Sequence, residues 1–194
     1  GSSRSSPRNL FVADTLASAG LATLLFDLLT PEEERDVGNV FDIELLARRL
    51  LTATAWLQHV PAAAALPLGY FGASTGAAAA LSAAAAVDSQ AASDVAAVVS
   101  RGGRPDLAWD ALPAVRAPTL LVVGGRDRDR DRDEQVLEMN RRARERLTGC
   151  ASRLEIVPNA THLFGEPGSL EQVAALARDW FVGHLSLLGH AHHA

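Results

Sequence analysis

The sequence predicts an α/β domain: a mainly parallel sheet with helices on both faces. Apolar runs of strand length alternate with longer segments of helical spacing, the signature of βαβ units. One helical segment, residues 75–87, is almost wholly small and apolar, as a helix buried all round against a sheet requires. With 194 residues, 48% hydrophobic and 21% charged, the chain holds one core of ordinary size and falls short of two. Residues 1–188 are therefore read as a single domain and the histidine-rich residues 189–194 as a flexible tail.

Each element has its own signal. Ser5 or Ser6 caps a first helix with Pro7 in its opening turn, and the helix runs to Ala19, where Gly20 stops it. Residues 21–28 (LATLLFDL) are predicted as a buried strand. Residues 30–39 are acidic and broken by Pro31, a loop, and residues 41–58 have helical spacing through Ile43, Leu46, Leu50 and Leu57. Residues 66–71 form the next strand, and the alanine-rich segment after it is a helix because alanine is the best helix former. Further strands are predicted at 95–100, at 119–123 behind Pro118, and at 153–157, with 107–115 a short helix or loop. Residues 136–147 read as an arginine-rich exposed helix and 170–185 as a final amphipathic one.

Composition excludes several classes of function. The formal net charge is -5, the positive charge is all arginine, and no basic face is interleaved with aromatics, so no nucleic-acid partner is expected. No apolar stretch of about 18 residues is free of polar breaks except the alanine tract, and alanine is too weakly apolar to hold a membrane span. A soluble protein with no membrane partner is expected. The lone Cys150 forms no internal disulfide and zinc-type Cys/His spacing is absent, so no metal or organic cofactor is implied, and a reducing, cytoplasmic setting fits.

Chemistry concentrates where the strand ending at Phe71 meets the alanine helix: Gly72-Ala73-Ser74-Thr75-Gly76, a G-x-S-x-G. A strand feeding a helix through so tight a turn strains its middle residue and projects the Ser74 hydroxyl outward. That hydroxyl would sit at a helix N-terminus, whose partial positive charge favours an oxyanion, with the Thr75 N–H placed to donate to it. The plainer alternative is a serine cap on an ordinary helix. Serine needs a base. Of six histidines, His162 alone follows a predicted strand in a loop at the carboxyl end of the sheet, where open α/β sheets gather their sites. The acid that orients the imidazole is expected behind the strand 119–123: Asp127 stands closest to its end, and Asp133, just before the next helix, is the rival. Serine, aspartate, histidine is the chain order of α/β-hydrolases.

With these residues in place, the segments SSRSSPRN (2–9), FDLLTPEE (26–33), GYFGASTGAAAA (69–80), VSRGGRPDL (99–107) and LEIVPNATHLF (154–164) together resemble the dienelactone-hydrolase-like α/β-hydrolases of bacteria, some of which are fused behind a phosphoribosyltransferase domain. The likeness implies the α/β-hydrolase fold, Ser74 as nucleophile, His162 as base, and Asp127 or Asp133 as acid. The chain departs from the pattern in three places. True dienelactone hydrolases carry a cysteine nucleophile where Ser74 stands; the Arg-Asp repeat at 126–133 looks like an insertion in a shorter acid loop; and the family pattern H-G-x-G-S-S-R-x-S-P-R-N begins before Gly1.

The resemblance thus implies a fold lacking its N-terminal strands in this chain. A strand between residues 21–28 and 66–71 would have to come from preceding polypeptide or from another copy in a homo-oligomer. It also puts the second oxyanion donor at Ser2 or Ser3. The expected function is hydrolysis of small carboxylic esters or lactones through a Ser-His-Asp triad and an acyl-enzyme. A non-catalytic binding module retaining the fold, or acyl transfer to another acceptor, is the alternative. Arg4, Arg101 and Arg104 are placed to clamp an anionic substrate, set against the plainer expectation that they pair with Asp27 or with the acidic residues 32–34.

Overall fold

The structure, a computed structural model, describes residues 3–86, 95–125 and 130–189, the side chains of 130–134 and 186–189 lying outside that description. Four apolar runs pair as parallel strands: β1 (Leu68–Ala73), β2 (Val95–Arg101), β3 (Thr119–Gly124) and β4 (Ser152–Val157), in the order β1-β2-β3-β4. Registers such as Phe71 with Val99, Val99 with Leu120 and Leu121 with Leu154 bring all four carboxyl ends to one edge of the sheet.

The helices are α1 (Pro7–Ser18), α2 (Val37–Phe41), α3 (Ile43–Leu57), α4 (Thr75–Ala86), α5 (Arg130–Arg146) and α6 (Ser169–Gly189). Alternation along each strand divides the core in two. Ala97, Val99, Leu120 and Val122 pack with Val12 and Leu16 of α1 and with Val173, Ala177 and Phe181 of α6. Val98 and Leu121 face the other way, onto Leu46 of α3, Ala78 and Leu81 of α4 and Ala143 of α5. Buried on both faces, β2 is enclosed along its whole length. Ala77, Ala78, Ala79 and Ala83 are all fully buried, so α4 is the close-packed helix its composition predicts. Ser6 is the N-cap of α1, accepting from the Asn9 N–H at 3.2 Å, and Gly20 behind the helix has φ 83°.

Residues 21–28 are not a strand. A ladder needs a neighbour, and none of the described residues forms one with this segment; it has no regular secondary structure, Leu24 is exposed, and it is tied at its ends by Leu21 N–H to the Leu16 carbonyl and by Arg49 to the Leu28 carbonyl. Among the described residues β1 is therefore an edge strand.

Smaller corrections have local causes. The acidic loop contains a 3₁₀ turn, Glu33–Arg35, and α2, because Asp36 caps α2 and Asp42 then caps α3. Helix α5 begins at Arg130, six residues earlier than predicted, since alternating arginine and aspartate carry no apolar period yet do not oppose a helix. Gly189 ends α6 rather than opening a tail, and residues 190–194 lie outside the described residues. No described helix is long and apolar enough to cross a membrane.

Candidate functional site

One residue turns the chain from sheet to helix. β1 ends at Ala73 and α4 begins at Thr75, leaving Ser74 with φ 53°, a left-handed conformation that costs a side-chain-bearing residue about 1–3 kcal/mol. Three backbone hydrogen bonds hold it there. The Ser74 N–H donates to the Arg101 carbonyl at 3.3 Å, and the Ser74 carbonyl accepts from the Ala77 N–H at 3.1 Å and the Arg104 N–H at 3.2 Å. The turn is tight enough to need Gly72: a Cβ there would collide with the Gly76 carbonyl oxygen and lie 2.6 Å from Ala77 Cα. Gly76 is different, for a Cβ there meets nothing within 4 Å beyond its own helix. The first glycine of the motif answers a steric demand and the second does not. Ser74 is half-buried, and Thr75 opens α4, whose N-terminal dipole points toward the serine.

His162 is delivered to the same edge. After β4 the chain passes over the end of β3, where Gly124 leaves room for the Ala160 and Thr161 carbonyls. Two left-handed residues, Asn159 (φ 59°) and Phe164 (φ 53°), bracket the loop, and the fully buried Phe164 anchors it in the core. The half-buried imidazole comes to rest beside Gly102: a Cβ on that glycine would stand 3.2 Å from Cε1, Nδ1 and the His162 carbonyl. Gly102 has φ 50°, and its N–H donates to the Val122 carbonyl at 2.8 Å. Ser74 bonds to Arg101, and His162 touches the next residue. The predicted nucleophile and base thus share one strand end, that of β2.

Of the remaining predicted residues, Asp127 and Ser2 lie outside the described residues. Asp133 is in the first turns of α5, its side chain outside the description. The arginines have partners. Arg4 donates its N–H to Asp27 at 2.7 Å and brings its guanidinium to 3.6 Å from the same carboxylate, while Arg104 grips Asp106 with two hydrogen bonds of 2.9 and 2.7 Å. Arg101 is buried, 6% exposed. Its Nη2 donates to Asn9 Oδ1 at 3.2 Å and its guanidinium lies 5.7 Å from the centre of the Phe71 ring, but among the described residues Nη1 has no hydrogen-bond partner. Burial, and then the facing charge of Arg8, pull its pKa down to about 10, which leaves it a cation at neutral pH.

Sequence reasoning missed the turn that joins these pieces. Ser100 and Asn140 are both completely buried, and among the described residues Ser100 Oγ and Asn140 Oδ1 have no hydrogen-bond partner. Such orphaned groups cost about 1–3 kcal/mol each. The signal for Asn140 was present: Val136, Asn140, Ala143 and Leu147 fall on one helical stripe, and the asparagine interrupts its apolar character.

No family model matches the chain. Two curated proteins of Mycobacterium tuberculosis, from strains CDC 1551 and H37Rv and provisionally named phosphoribosyl transferases, are each 62% identical to it over 185 residues. That span is 95% of this chain and 39% of each of those proteins, so the chain spans well under half the length of the curated relatives it matches. The crystal structure of a dienelactone hydrolase from Anabaena variabilis superposes with a TM-score of 0.83 at 56% identity, covering 95% of this chain and 82% of that one.

Proposed function

We propose, from the premise that this chain belongs to the dienelactone hydrolase family and has its α/β-hydrolase fold, that it is a serine hydrolase of small carboxylic esters or lactones. The observation that carries the reading is the strained Ser74 turn, bonded to the same strand end on which the His162 ring rests.

In this reading the Ser74 hydroxyl attacks the acyl carbon while His162 takes its proton. Negative charge collects on the former carbonyl oxygen, and the Thr75 N–H at the start of α4 donates to it, with Ser2 or Ser3 supplying a second donor. Collapse breaks the bond to the alcohol oxygen, which leaves with the proton from His162. Water, deprotonated by the same imidazole, then releases the acid and restores Ser74. Asp127 is the acid that orients His162, and Asp133 is its competitor. The buried Arg101 cation, beside Arg8, adds positive potential at this edge, and the largely exposed Arg4 is the arginine available to an anionic substituent on the substrate. The open edge of β1 fits an additional strand, from further polypeptide or from a second copy.

Replacing Ser74 with alanine tests the reading. Hydrolysis of p-nitrophenyl acetate should fall to the uncatalysed background, and undiminished turnover would remove the assignment. A binding module that merely keeps the fold would show no turnover in the unmodified chain, and acyl transfer would show product only when an acceptor other than water is supplied.

A further inference from the structure

We propose that Asn140 and Ser100 are positioning residues for Ser74 and His162, acting through the turn Gly102–Arg104; the inference rests on reading those two as nucleophile and base. Four consecutive residues at the end of β2 carry the link. Arg101 accepts from the Ser74 N–H, Gly102 lies against the His162 ring, and the Arg104 N–H donates back to the Ser74 carbonyl at 3.2 Å. A displacement of this turn therefore acts on both the segment that carries Ser74 and the ring of His162.

Between them stands Gly103, held from below. From α5, Asn140 Nδ2 donates to the Gly103 carbonyl at 3.4 Å and is itself fixed by a 2.8 Å bond to the Val136 carbonyl. From β2, Ser100 Oγ occupies the space that a Gly103 Cβ would need, and Ala77 Cβ of α4 closes the other side at 2.8 Å. The turn is thus wedged among β2, α4 and α5. Each of the two polar side chains is fully buried, its oxygen without a hydrogen-bond partner among the described residues; Asn140 interrupts an apolar stripe, and Ser100 follows five apolar residues of β2. Leucine at 140 or alanine at 100 would avoid that cost and would also release the turn. Neither residue touches the reacting atoms, so the role is positional.

The test uses the intact chain with Asn140→Leu, Ser100→Ala, Gly103→Ala and the pair Gly103→Ala with Ser100→Gly. The readouts are kcat and KM for p-nitrophenyl acetate and hydrogen exchange of the Gly102 and Arg104 amides. Asn140→Leu should lower kcat roughly tenfold to a hundredfold with KM within about twofold, and should speed exchange at both amides. Gly103→Ala should do the same through its collision with Ser100, and adding Ser100→Gly should return part of the lost kcat. Ser100→Ala, which removes one oxygen, decides the matter if the leucine variant does not fold. Unchanged exchange in Asn140→Leu and Ser100→Ala overturns the proposal, and so does faster exchange with unchanged kcat. Should Ser74→Ala keep full turnover, the assignment of Ser74 has failed instead, and the exchange data still decide whether Asn140 and Ser100 hold the turn.

Discussion

Substituting Gly72 with alanine puts the geometry of the Ser74 turn under direct load. The new methyl would stand 2.6 Å from Ala77 Cα and the Gly76 carbonyl carbon, and closer still to the Gly76 oxygen, all backbone atoms of the first turn of α4. Ordinary contact begins near 3.4 Å, so at least about 0.8 Å must be found, and more at the Gly76 oxygen, with no flexible side chain there to give it. Helix α4 is buried nearly all round and cannot recede as a whole, so the strain falls on the Ser74 turn. Overpacking of this kind costs about 1–3 kcal/mol of stability. A displacement approaching 1 Å at the hydroxyl should lower kcat for p-nitrophenyl acetate about a hundredfold while KM changes little. Gly76→Ala is the matched control. Its methyl meets nothing beyond its own helix, and removing a helical glycine should raise stability by about 0.5–1 kcal/mol with activity retained. Urea unfolding and steady-state kinetics on both variants separate the cases. Equal behaviour of the two alanines, or a Gly72→Ala protein as stable and active as the parent, would show that the turn is not packed as described.

Three further outcomes follow from other parts of the structure. Asp127→Asn should reduce kcat by on the order of 10³–10⁴ and Asp133→Asn by less than about twofold, as read by the same ester assay; the reverse pattern would transfer the acid role to Asp133. Glu33 is held by two hydrogen bonds from Arg49 and one from the Thr30 N–H, which lower its pKa from 4.5 to about 2. Because the folded value is the lower one, the stabilisation is complete above pH 4.5 and is lost as pH falls through about 2. Melting temperatures between pH 7 and pH 2 should accordingly drop less steeply for Arg49→Met than for the parent, and parallel curves would contradict this. Buried Tyr70 shares a 2.8 Å hydrogen bond with Thr54, whose hydroxyl also donates to the Leu50 carbonyl at 3.0 Å. Thr54→Val strands the phenol and should cost about 1–3 kcal/mol, more than Tyr70→Phe, which leaves Thr54 a partner; urea unfolding of the two checks the order.

Much of the sheet was legible because β2 and β3 lie between two helical layers and are apolar over most of their length, and α4 because only small residues let it approach the strands so closely. The Ser74 turn was legible for a related reason: a strand and a helix joined through a single serine demand glycine at position 72. Residues 21–28 misled because an apolar run records a tendency to leave water, whereas a strand also needs a partner for its backbone. The start of α5 was missed because charge alternation leaves no period to read. The link from Asn140 to Gly103, and from Gly102 to His162, joins residues far apart in the chain, and local pattern carries no record of such meetings. A polar residue on an apolar stripe is as much warning as the sequence offers.

Mapping a fluorophosphonate adduct by peptide mass spectrometry tests the central claim most directly. An activated serine at position 74 should carry the label in the unmodified protein and lose nearly all of it in His162→Ala. A protein that stays unlabelled, is labelled elsewhere, or is labelled at Ser74 equally well without the imidazole would contradict the pairing on which the account stands.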